Sequence, residues 1–200
     1  MSLAQGTLTF KSAVCIIPPK AIWDQIQEIR QAHDKHVKRW PPHINLLYPF
    51  LPYENFSETA LPTLTRALST IRPFSIRLGR FSWFQHSRNS FTVWLKPADS
   101  PEESLANLER KLAASFPELG EQMRTGKGQF VPHLSVGQFK TKEQVESLVA
   151  EMDERFSESH PLEFEVTSVQ LIARFGYHDP FRVIHDIPLG GEEPPSLNIT

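Results

Sequence analysis

Two histidines set in the same short pattern are the residues of this chain whose types and spacing could do chemistry. His43 stands in the stretch PHINL and His133 in the stretch PHLSV. If both stretches are strands, side chains two positions apart share a face, so Asn45 accompanies His43 and Ser135 accompanies His133. Two imidazoles that titrate near neutral pH can divide a reaction, because one accepts a proton while the other donates one. With two polar side chains to hold phosphate oxygens as charge develops, the pattern predicts metal-independent chemistry on a phosphodiester.

Basic and aromatic residues near the motifs are candidates for substrate contacts. The first motif is preceded by Lys35, Lys38 and Arg39 and the second by Arg124 and Lys127. In a chain with a formal net charge of −2, cations thus stand in both approach loops. An aromatic side chain could stack on a base, the candidates being Trp40, Tyr48, Trp83 and Tyr177, although aromatic residues at such spacings more often belong to a core. Arg174 could reach a phosphate from the end of a strand or could be a surface cation, and the sequence leaves both interpretations open.

The other histidines lack this setting. His33 and His36, followed by His43, could be imagined as zinc ligands, but their spacing is a poor metal signature without cysteines or a carboxylate cluster. We therefore expect His33 and His36 to be exposed surface residues. His86 and His178 fall in the corresponding turns of two predicted hairpins, so either could lie at the rim of the cleft, although a solvated turn residue is the simpler interpretation.

The hydrophobic pattern predicts the strands and helices that would position the motifs. In the first half we expect a strand from Leu8 to Ile17, a helix from Ile22 to about Lys38, a strand from His43 to Phe50, a helix from Leu61 to Ile71, and two strands, Phe74 to Phe84 and Ser90 to Pro97, joined by QHSRN. In the second half we expect a helix capped by Ser100, Pro101 and Glu103, a strand FVPHLSVGQF, a helix capped by Thr141 and Gln144, and two strands, Leu162 to Arg174 and Phe181 to Pro188.

The order of strand with histidine, helix and hairpin occurs twice. The interval from His43 to His133 equals the interval from Phe74 to Phe164, and each of these Phe residues lies where a predicted hairpin begins. A duplicated unit of this kind predicts two lobes related by a pseudo-twofold axis. The two histidines would then face each other across a cleft.

The repeat covers about residues 40–97 and 130–188 of a single bilobal domain, which we expect over residues 1–190. Residues 191–200, GEEPPSLNIT, are expected to form a flexible tail. Two hundred residues with 40% hydrophobic content can bury a core large enough for one such domain.

Charge and cysteine content exclude several classes of function. A pI near 6.4 argues against a protein that coats long nucleic acid through a broad basic face, but allows a small or end-bound phosphate ligand. Cys15 is the only cysteine, which excludes a disulfide framework and a cysteine-based zinc site and favours a reducing compartment. The first residues lack a signal-peptide pattern, and no apolar run is long enough to cross a bilayer. We expect a cytoplasmic or nuclear monomer that needs no metal or other cofactor.

The stretches PHINLLYPF and FVPHLSVGQF resemble the paired motifs of the 2H phosphoesterase superfamily, which includes 2'-5' RNA ligase-like proteins and cyclic nucleotide phosphodiesterases. The resemblance runs from the first strand to the segment FRVIHDIPLG. It implies an α+β fold with two pseudo-twofold-related antiparallel sheets, helices packed outside them and a central cleft. It also implies metal-independent action on 2',3'-cyclic phosphates, related cyclic esters or 2'-5' linkages.

By position, the resemblance makes His43 and His133 the acid and base pair and Ser135 a phosphate-binding hydroxyl. Asn45 departs from the family pattern, which has Thr or Ser there, but its amide can still donate a hydrogen bond to a phosphate oxygen. The leading hypothesis is hydrolysis of a 2',3'-cyclic phosphate on a nucleotide or RNA end. The alternatives are a catalytically weakened module that binds nucleotides or RNA ends, a 2'-5' RNA ligase, and an exonuclease acting on RNA 3' ends. Which histidine is the acid stays open.

Overall fold

The computed structural model describes residues 8–117, 130–156 and 162–190. Short 3-10 and π-helical turns lead into the first two helices. In chain order, the strands and α-helices of these residues are β1 (Ser12–Ile16), α1 (Trp23–His33), β2 (Ile44–Leu47), α2 (Leu61–Leu68), β3 (Phe74–Ser87), β4 (Ser90–Ser100), α3 (Ser104–Ala114), β5 (Leu134–Phe139), α4 (Lys142–Arg155), β6 (Leu162–Val166), β7 (Ser168–Ala173) and β8 (Arg182–Pro188).

The described strands form two antiparallel sheets of four strands each, so the α+β class expected from the sequence is confirmed. Sheet 1 has the order β2-β1-β7-β8 and sheet 2 the order β5-β4-β3-β6. β2 and β5 each follow a motif histidine directly, each is the edge strand of its sheet, and the two strands contact each other. The sheets therefore meet at the two motifs.

Each sheet combines strands from both halves of the chain. β3 and β4 of the first half lie with β5 and β6 in sheet 2, while β7 and β8 return to sheet 1. Phe74 and Phe164 consequently lie in the adjacent strands β3 and β6 of one sheet. The lobes are thus not two sequence halves folded separately, and the bounds of the repeat stay a prediction.

One continuous hydrophobic core connects the helices to both sheets. α2 contacts sheet 1, α1 and α4 contact sheet 2, and α3 contacts both sheets. The core takes Val14, Ile16 and Ile44 from sheet 1 and Val93 and Leu134 from sheet 2, all at most 1% exposed. Burying each such side chain contributes about 1.5–3 kcal/mol, so both motif strands are held from their helix-facing sides.

A smaller apolar cluster lies on the opposite face of sheet 1. Its sheet residues are Ala13, Cys15 and Ile172, and the cysteine thiol is completely buried. The cluster is covered by three aromatic residues, which we call the aromatic cap: Trp40, Tyr48 and Phe181.

Three predicted helix boundaries are wrong. The first helix ends at His33, where Asp34 adopts an extended backbone and its Oδ1 accepts from the N–H of His36. The second helix, expected to reach Ile71, ends at Leu68. The third helix begins at Ser104, because β4 runs on to Ser100 in its pairing with β3. The capping box of Thr141 and Gln144 before α4 is confirmed.

The strand expected from Leu162 to Arg174 is two strands in different sheets. The chain leaves sheet 2 after Val166 and enters sheet 1 at Ser168. Burial changes at the same place, because β6 alternates buried and exposed residues while β7 is buried on nearly every side chain. A half-exposed strand needs such alternation, whereas a strand covered on both faces does not.

Candidate active site

A buried ion pair shapes the loop between α1 and β2. Arg30 forms a salt bridge with Asp34 at 2.8 Å, with both side chains almost fully buried. Arg30 also donates to the carbonyl of Trp40 at 2.9 Å, and Oδ1 of Asp34 accepts from the backbone N–H of His36 at 2.8 Å. Because buried charges are tolerated only when they are paired and hydrogen-bonded, these contacts fix the path of the chain into the first motif.

The two motif histidines are anchored in the same way, immediately before their strands rather than within them. Nδ1 of His43 donates to the carbonyl of Pro41 at 2.8 Å, and Nδ1 of His133 donates to the carbonyl of Val131 at 2.8 Å. A carbonyl can only accept, so each neutral ring carries its proton on Nδ1 and a lone pair on Nε2. Each ring therefore offers one nitrogen, Nε2, for proton transfer.

His43 is half-buried against the aromatic cap. The indole of Trp40 stacks on its ring with centroids 4.5 Å apart, and Trp40 stacks in turn on Phe181 at 3.7 Å. Burial lowers the pKa of His43 to about 4, and the charges of Arg30 and His133 act in the same direction. The imidazole of His43 is neutral at pH 7.

His133 occupies the corresponding position before β5 and contacts other rings. It lies edge-on to Phe84 at 5.1 Å and to Trp94 at 6.0 Å between centroids. Burial lowers its pKa, and the charge of His86 lowers that pKa further. The charge of His133 also lowers the pKa of His43.

A cleft with a volume of about 320 Å³ opens between the edge strands. His43 and Asn45 line it from sheet 1, and Ser135 lines it from sheet 2, whereas His133, two residues before Ser135, is not part of the lining. The next residue before each polar side chain is fully buried in the core, so strand alternation aims Asn45 and Ser135 into the cleft. The volume is at the lower end of the roughly 300–1,000 Å³ that small-molecule sites occupy.

Asn45 brings an unpaired acceptor to this cleft. Its Oδ1 is buried and accepts no hydrogen bond from any described residue. Its sheet neighbour on β1 is Cys15, which is buried in the apolar cluster. A buried acceptor without a partner costs about 1–3 kcal/mol, so a ligand group that donates to Oδ1 would recover this free energy.

His36 presents the opposite tautomer to the same cleft. Its Nδ1 accepts from the guanidinium of Arg39 at 3.0 Å, so the proton of the neutral ring lies on Nε2. Burial lowers the pKa of His36, and the charge of Arg39 adds to this effect. His36 therefore offers an N–H donor where His43 offers a lone pair.

β5 is joined to the loop before the first motif by one side chain. Nε2 of Gln138 donates to Oδ1 of Asp34 at 3.1 Å, and Oε1 of Gln138 accepts from the backbone N–H of Lys35 at 3.1 Å. Gly137 permits this approach, because a Cβ there would lie 2.7 Å from the Cβ of His33. Gln138 thus ties the strand after the second motif to the loop before the first.

Four of the predicted substrate contacts that belong to the described residues lie outside the lining of the cleft. None of Arg39, Tyr48, Arg174 and Tyr177 is among the residues that line the cleft. Tyr48 belongs to the aromatic cap, where burial raises its pKa. Arg174 is buried and donates to the carbonyls of Tyr177 and Phe10, so it is neither a free surface cation nor a cleft residue. Lys127 lies outside the described residues, and so does Arg124.

Two histidines that line the cleft, His36 and His86, were not assigned to the site from the sequence. His36, expected on the surface, is half-buried in the cleft, and His86 lines it from β3, where Nε2 lies 3.0 Å from Oγ1 of Thr92. His33 is also half-buried, against Phe139. The basic run around His36 was the available signal, because it stood next to the first motif.

Among residues 8–117, 130–156 and 162–190, no group of three or more His, Cys, Asp or Glu side chains is placed to hold a metal ion. No helix in that part of the chain is long and apolar enough to cross a membrane.

Solved structures share this architecture. The protein TT0787 of Thermus thermophilus matches with a TM-score of 0.61 at 18% identity, covering 92% of this chain and 100% of that one. Escherichia coli LigT, crystallised with 3'-AMP, matches with a TM-score of 0.57 at 19% identity, covering 90% of this chain and 97% of that one. At identities this low, the TM-scores show that the fold is shared and show nothing about function.

Sequence comparison goes further than the fold. A Geobacillus kaustophilus protein, named only provisionally as a phosphoesterase, is 32% identical over 127 residues, which cover 64% of this chain and 68% of that protein. The family model of the 2'-5' RNA ligase superfamily matches residues 18–177, a span that contains both histidine motifs. The chain therefore belongs to the 2'-5' RNA ligase superfamily.

Proposed function

We propose that this phosphoesterase hydrolyses 2',3'-cyclic phosphates on nucleotides or RNA ends, with His43 and His133 as the proton-transfer pair. The observation that carries the proposal is the identical anchoring of the two rings. Each donates Nδ1–H to a backbone carbonyl two residues earlier and keeps Nε2 for proton transfer. One histidine immediately before the edge strand of each sheet suits an acid and a base on opposite sides of a phosphorus atom.

In the proposed reaction, Nε2 of one histidine removes a proton from water as the water oxygen attacks phosphorus. The bond from phosphorus to one ribose oxygen breaks, and the other histidine, protonated at Nε2, gives its proton to that oxygen. The products are a phosphate monoester and a free ribose hydroxyl. We assign the base to His43, because burial and the charge of Arg30 keep its ring neutral. His133 is then the acid, and the negative charge of the bound phosphate favours its protonated form.

Asn45 and Ser135 supply hydrogen bonds to the non-bridging oxygens. The amide of Asn45 can donate through Nδ2 while its unpaired Oδ1 accepts from a ribose hydroxyl. LigT was crystallised with 3'-AMP and also with ATP, so nucleotides are a suitable first set of ligands for the present chain.

The test is turnover of the four 2',3'-cyclic mononucleotides in the presence of EDTA. We expect activity to persist with the chelator and to fall by about 10²-fold or more in His43→Ala and in His133→Ala, since a positioned acid or base contributes about 10²–10⁴-fold. His185→Ala is the matched control. His185 pairs with Leu171 across β7 and β8, and paired residues share a face of the sheet, so His185 is on the core side of sheet 1 and not on the side of the aromatic cap. Loss of activity with EDTA, or full activity in the His43→Ala, His133→Ala double variant, would refute the mechanism.

A second candidate function is favoured by Asn45. A module that binds nucleotides or RNA ends without efficient turnover would keep the cleft and its hydrogen-bond donors while losing the hydroxyl of the family pattern. Calorimetric binding of 3'-AMP measured beside turnover separates the two functions. Tight binding without turnover by the native chain would support the module, and efficient turnover would exclude it.

A further inference from the structure

A second cavity, of about 340 Å³, lies beyond the aromatic cap. It is formed by the start of the chain before β1, the loop around Tyr53 and the turn after β7. Tyr53 and Phe175 line it, 48% and 54% exposed, and their rings meet edge-on at 5.1 Å. Phe10 and Tyr177 are also exposed, at 61% and 69%. We call these four residues the aromatic surface. Contiguous exposed apolar side chains mark binding sites, whereas exposed apolar residues scattered singly are normal on a protein surface.

The aromatic surface is connected to His43 by a series of rings. Trp40 stacks on His43 at 4.5 Å, Tyr48 meets Trp40 at 5.3 Å, and Phe10 meets Tyr48 at 5.7 Å. Arg174 makes a second connection, because its guanidinium lies over the rings of Phe181 and Tyr177 and also lines the second cavity. The two cavities are therefore two ends of one aromatic region.

Lys11 gives the cavity an exposed cation that can contact a phosphate. Its Nζ lies 3.4 Å from the carbonyl of Phe175, whereas Arg174, also in the lining, is buried and donates to backbone carbonyls. Glu54 also lines it, and Asp179 is turned back to accept from the N–H of Gly176. Rings on which bases stack, next to cations that meet phosphates, are the recurring features of single-stranded nucleic acid sites.

We propose that the aromatic surface binds the RNA strand on the 5' side of the nucleotide whose phosphate reacts in the cleft. The proposal rests on the function proposed above and defines its substrate as an oligonucleotide end. Bases upstream of the reactive nucleotide stack on Tyr53 and Phe175, while Lys11 contacts a phosphate between them. Sequence preference is weak, because every base has a π face.

Substrate length tests the proposal. The native chain is expected to have a lower KM for a tetranucleotide or hexanucleotide ending in a 2',3'-cyclic phosphate than for the mononucleotide. Tyr53→Ala with Phe175→Ala should raise KM for the hexanucleotide about tenfold or more, since base stacking is lost, and leave turnover of the mononucleotide unchanged. Tyr53→Phe with Phe175→Tyr keeps both rings and should behave as the native chain. Equal KM for all lengths, or no effect of the alanine pair, would overturn the surface while leaving the proposed function intact.

Binding measured without turnover keeps the two proposals separable. If the native chain turns over neither substrate, the proposed function fails, and fluorescence anisotropy with a 3'-hydroxyl hexanucleotide still decides the surface. Binding that the alanine pair weakens supports it, and binding that the pair leaves unchanged, or no binding, overturns it. Lys11→Gln should reduce the slope of log Kd against log salt by about 0.7, the value for one phosphate contact on a single strand.

Discussion

Asn45 gives the cleft a group that a hydroxyl would not. A Thr or Ser hydroxyl at this place donates and accepts through one oxygen whose hydrogen rotates, whereas the amide has its donors on one atom and a fixed acceptor on another. In the free protein that acceptor, Oδ1, is buried and unpaired among the described residues. The unpaired oxygen of Asn45 therefore lowers the free energy of unfolding, and a ligand that donates a hydrogen bond to it would recover that free energy.

Exchanging Asn45 separates these two effects. Asn45→Thr is expected to raise the free energy of unfolding by about 1 kcal/mol, because it replaces the unpaired amide oxygen by a smaller hydroxyl whose hydrogen can rotate to a partner and places a β-branched residue in a strand. Activity should stay within about tenfold of the native value, since one donor remains, while Asn45→Ala should lose about 10²-fold in kcat. Urea unfolding and turnover of a 2',3'-cyclic nucleotide check both. A less stable Asn45→Thr variant would contradict the account of Oδ1, and a large gain in its rate would instead support the binding module.

The sequence predicted the cleft position of Asn45 and Ser135, because strand alternation alone places them opposite the buried Ile44 and Leu134. His133 does not line the cleft with Ser135, and both histidines precede their strands, so the shared face of each His with its polar neighbour stays a prediction. His36 was misplaced because its burial depends on the pair of Arg30 and Asp34, whose geometry is set by packing against sheet 2. The catalytic roles themselves stay predictions.

At the scale of elements, the cleft depends on how β5 meets the loop between α1 and β2. Gln138 makes both hydrogen bonds of that junction, to Asp34 and to Lys35. These partners are more than 100 residues apart in sequence, so no local pattern could have revealed them. The switch of the chain from sheet 2 to sheet 1 at Thr167 was missed, because a single strand was predicted there, although alternation gives way at that point to a continuous apolar run.

Gln138→Ala should remove the hydrogen bonds that join β5 to the loop before the first motif. It leaves in place the side chains that bind phosphate in the proposed mechanism. We expect about 1–2 kcal/mol lower stability for two lost hydrogen bonds and a lower kcat with little change in KM, because the two histidines are less well aligned rather than absent. Gln31→Ala, an exposed glutamine on α1, is the control and should change stability by less than about 0.5 kcal/mol. A rise in KM with unchanged kcat would show instead that Gln138 contacts the substrate.

At the scale of the whole molecule, the fold keeps several imidazoles neutral that would be charged in the unfolded chain below about pH 6.5. The pKa of His43 is lowered to about 4, and the pKa values of His36 and His133 are lowered in the same direction, chiefly by burial. Between about pH 6.5 and pH 4 the unfolded state binds more protons than the folded state. Stability must therefore fall as pH decreases through that window.

Urea unfolding at about pH 7 and about pH 5 measures this effect. The free energy of unfolding is expected to be lower at the acidic pH, and the difference should shrink in His43→Gln, which removes the most strongly shifted ring. His185→Gln is the matched control, since His185 lies on β8 and outside the lining of the cleft, and it should keep the native pH dependence. Equal stability at both pH values would mean that the buried rings become protonated without unfolding.

The contact between β2 and β5 has a consequence for solubility. An edge strand leaves backbone N–H and C=O groups unpaired, and such an edge can recruit a strand from another molecule and start aggregation. Here the strands that carry Asn45 and Ser135 are edge strands of two different sheets that face each other across the cleft. The same juxtaposition that assembles a site for phosphate chemistry shields two open edges from other chains. Substitutions that spread the cleft would then cost the protein its colloidal stability along with its activity.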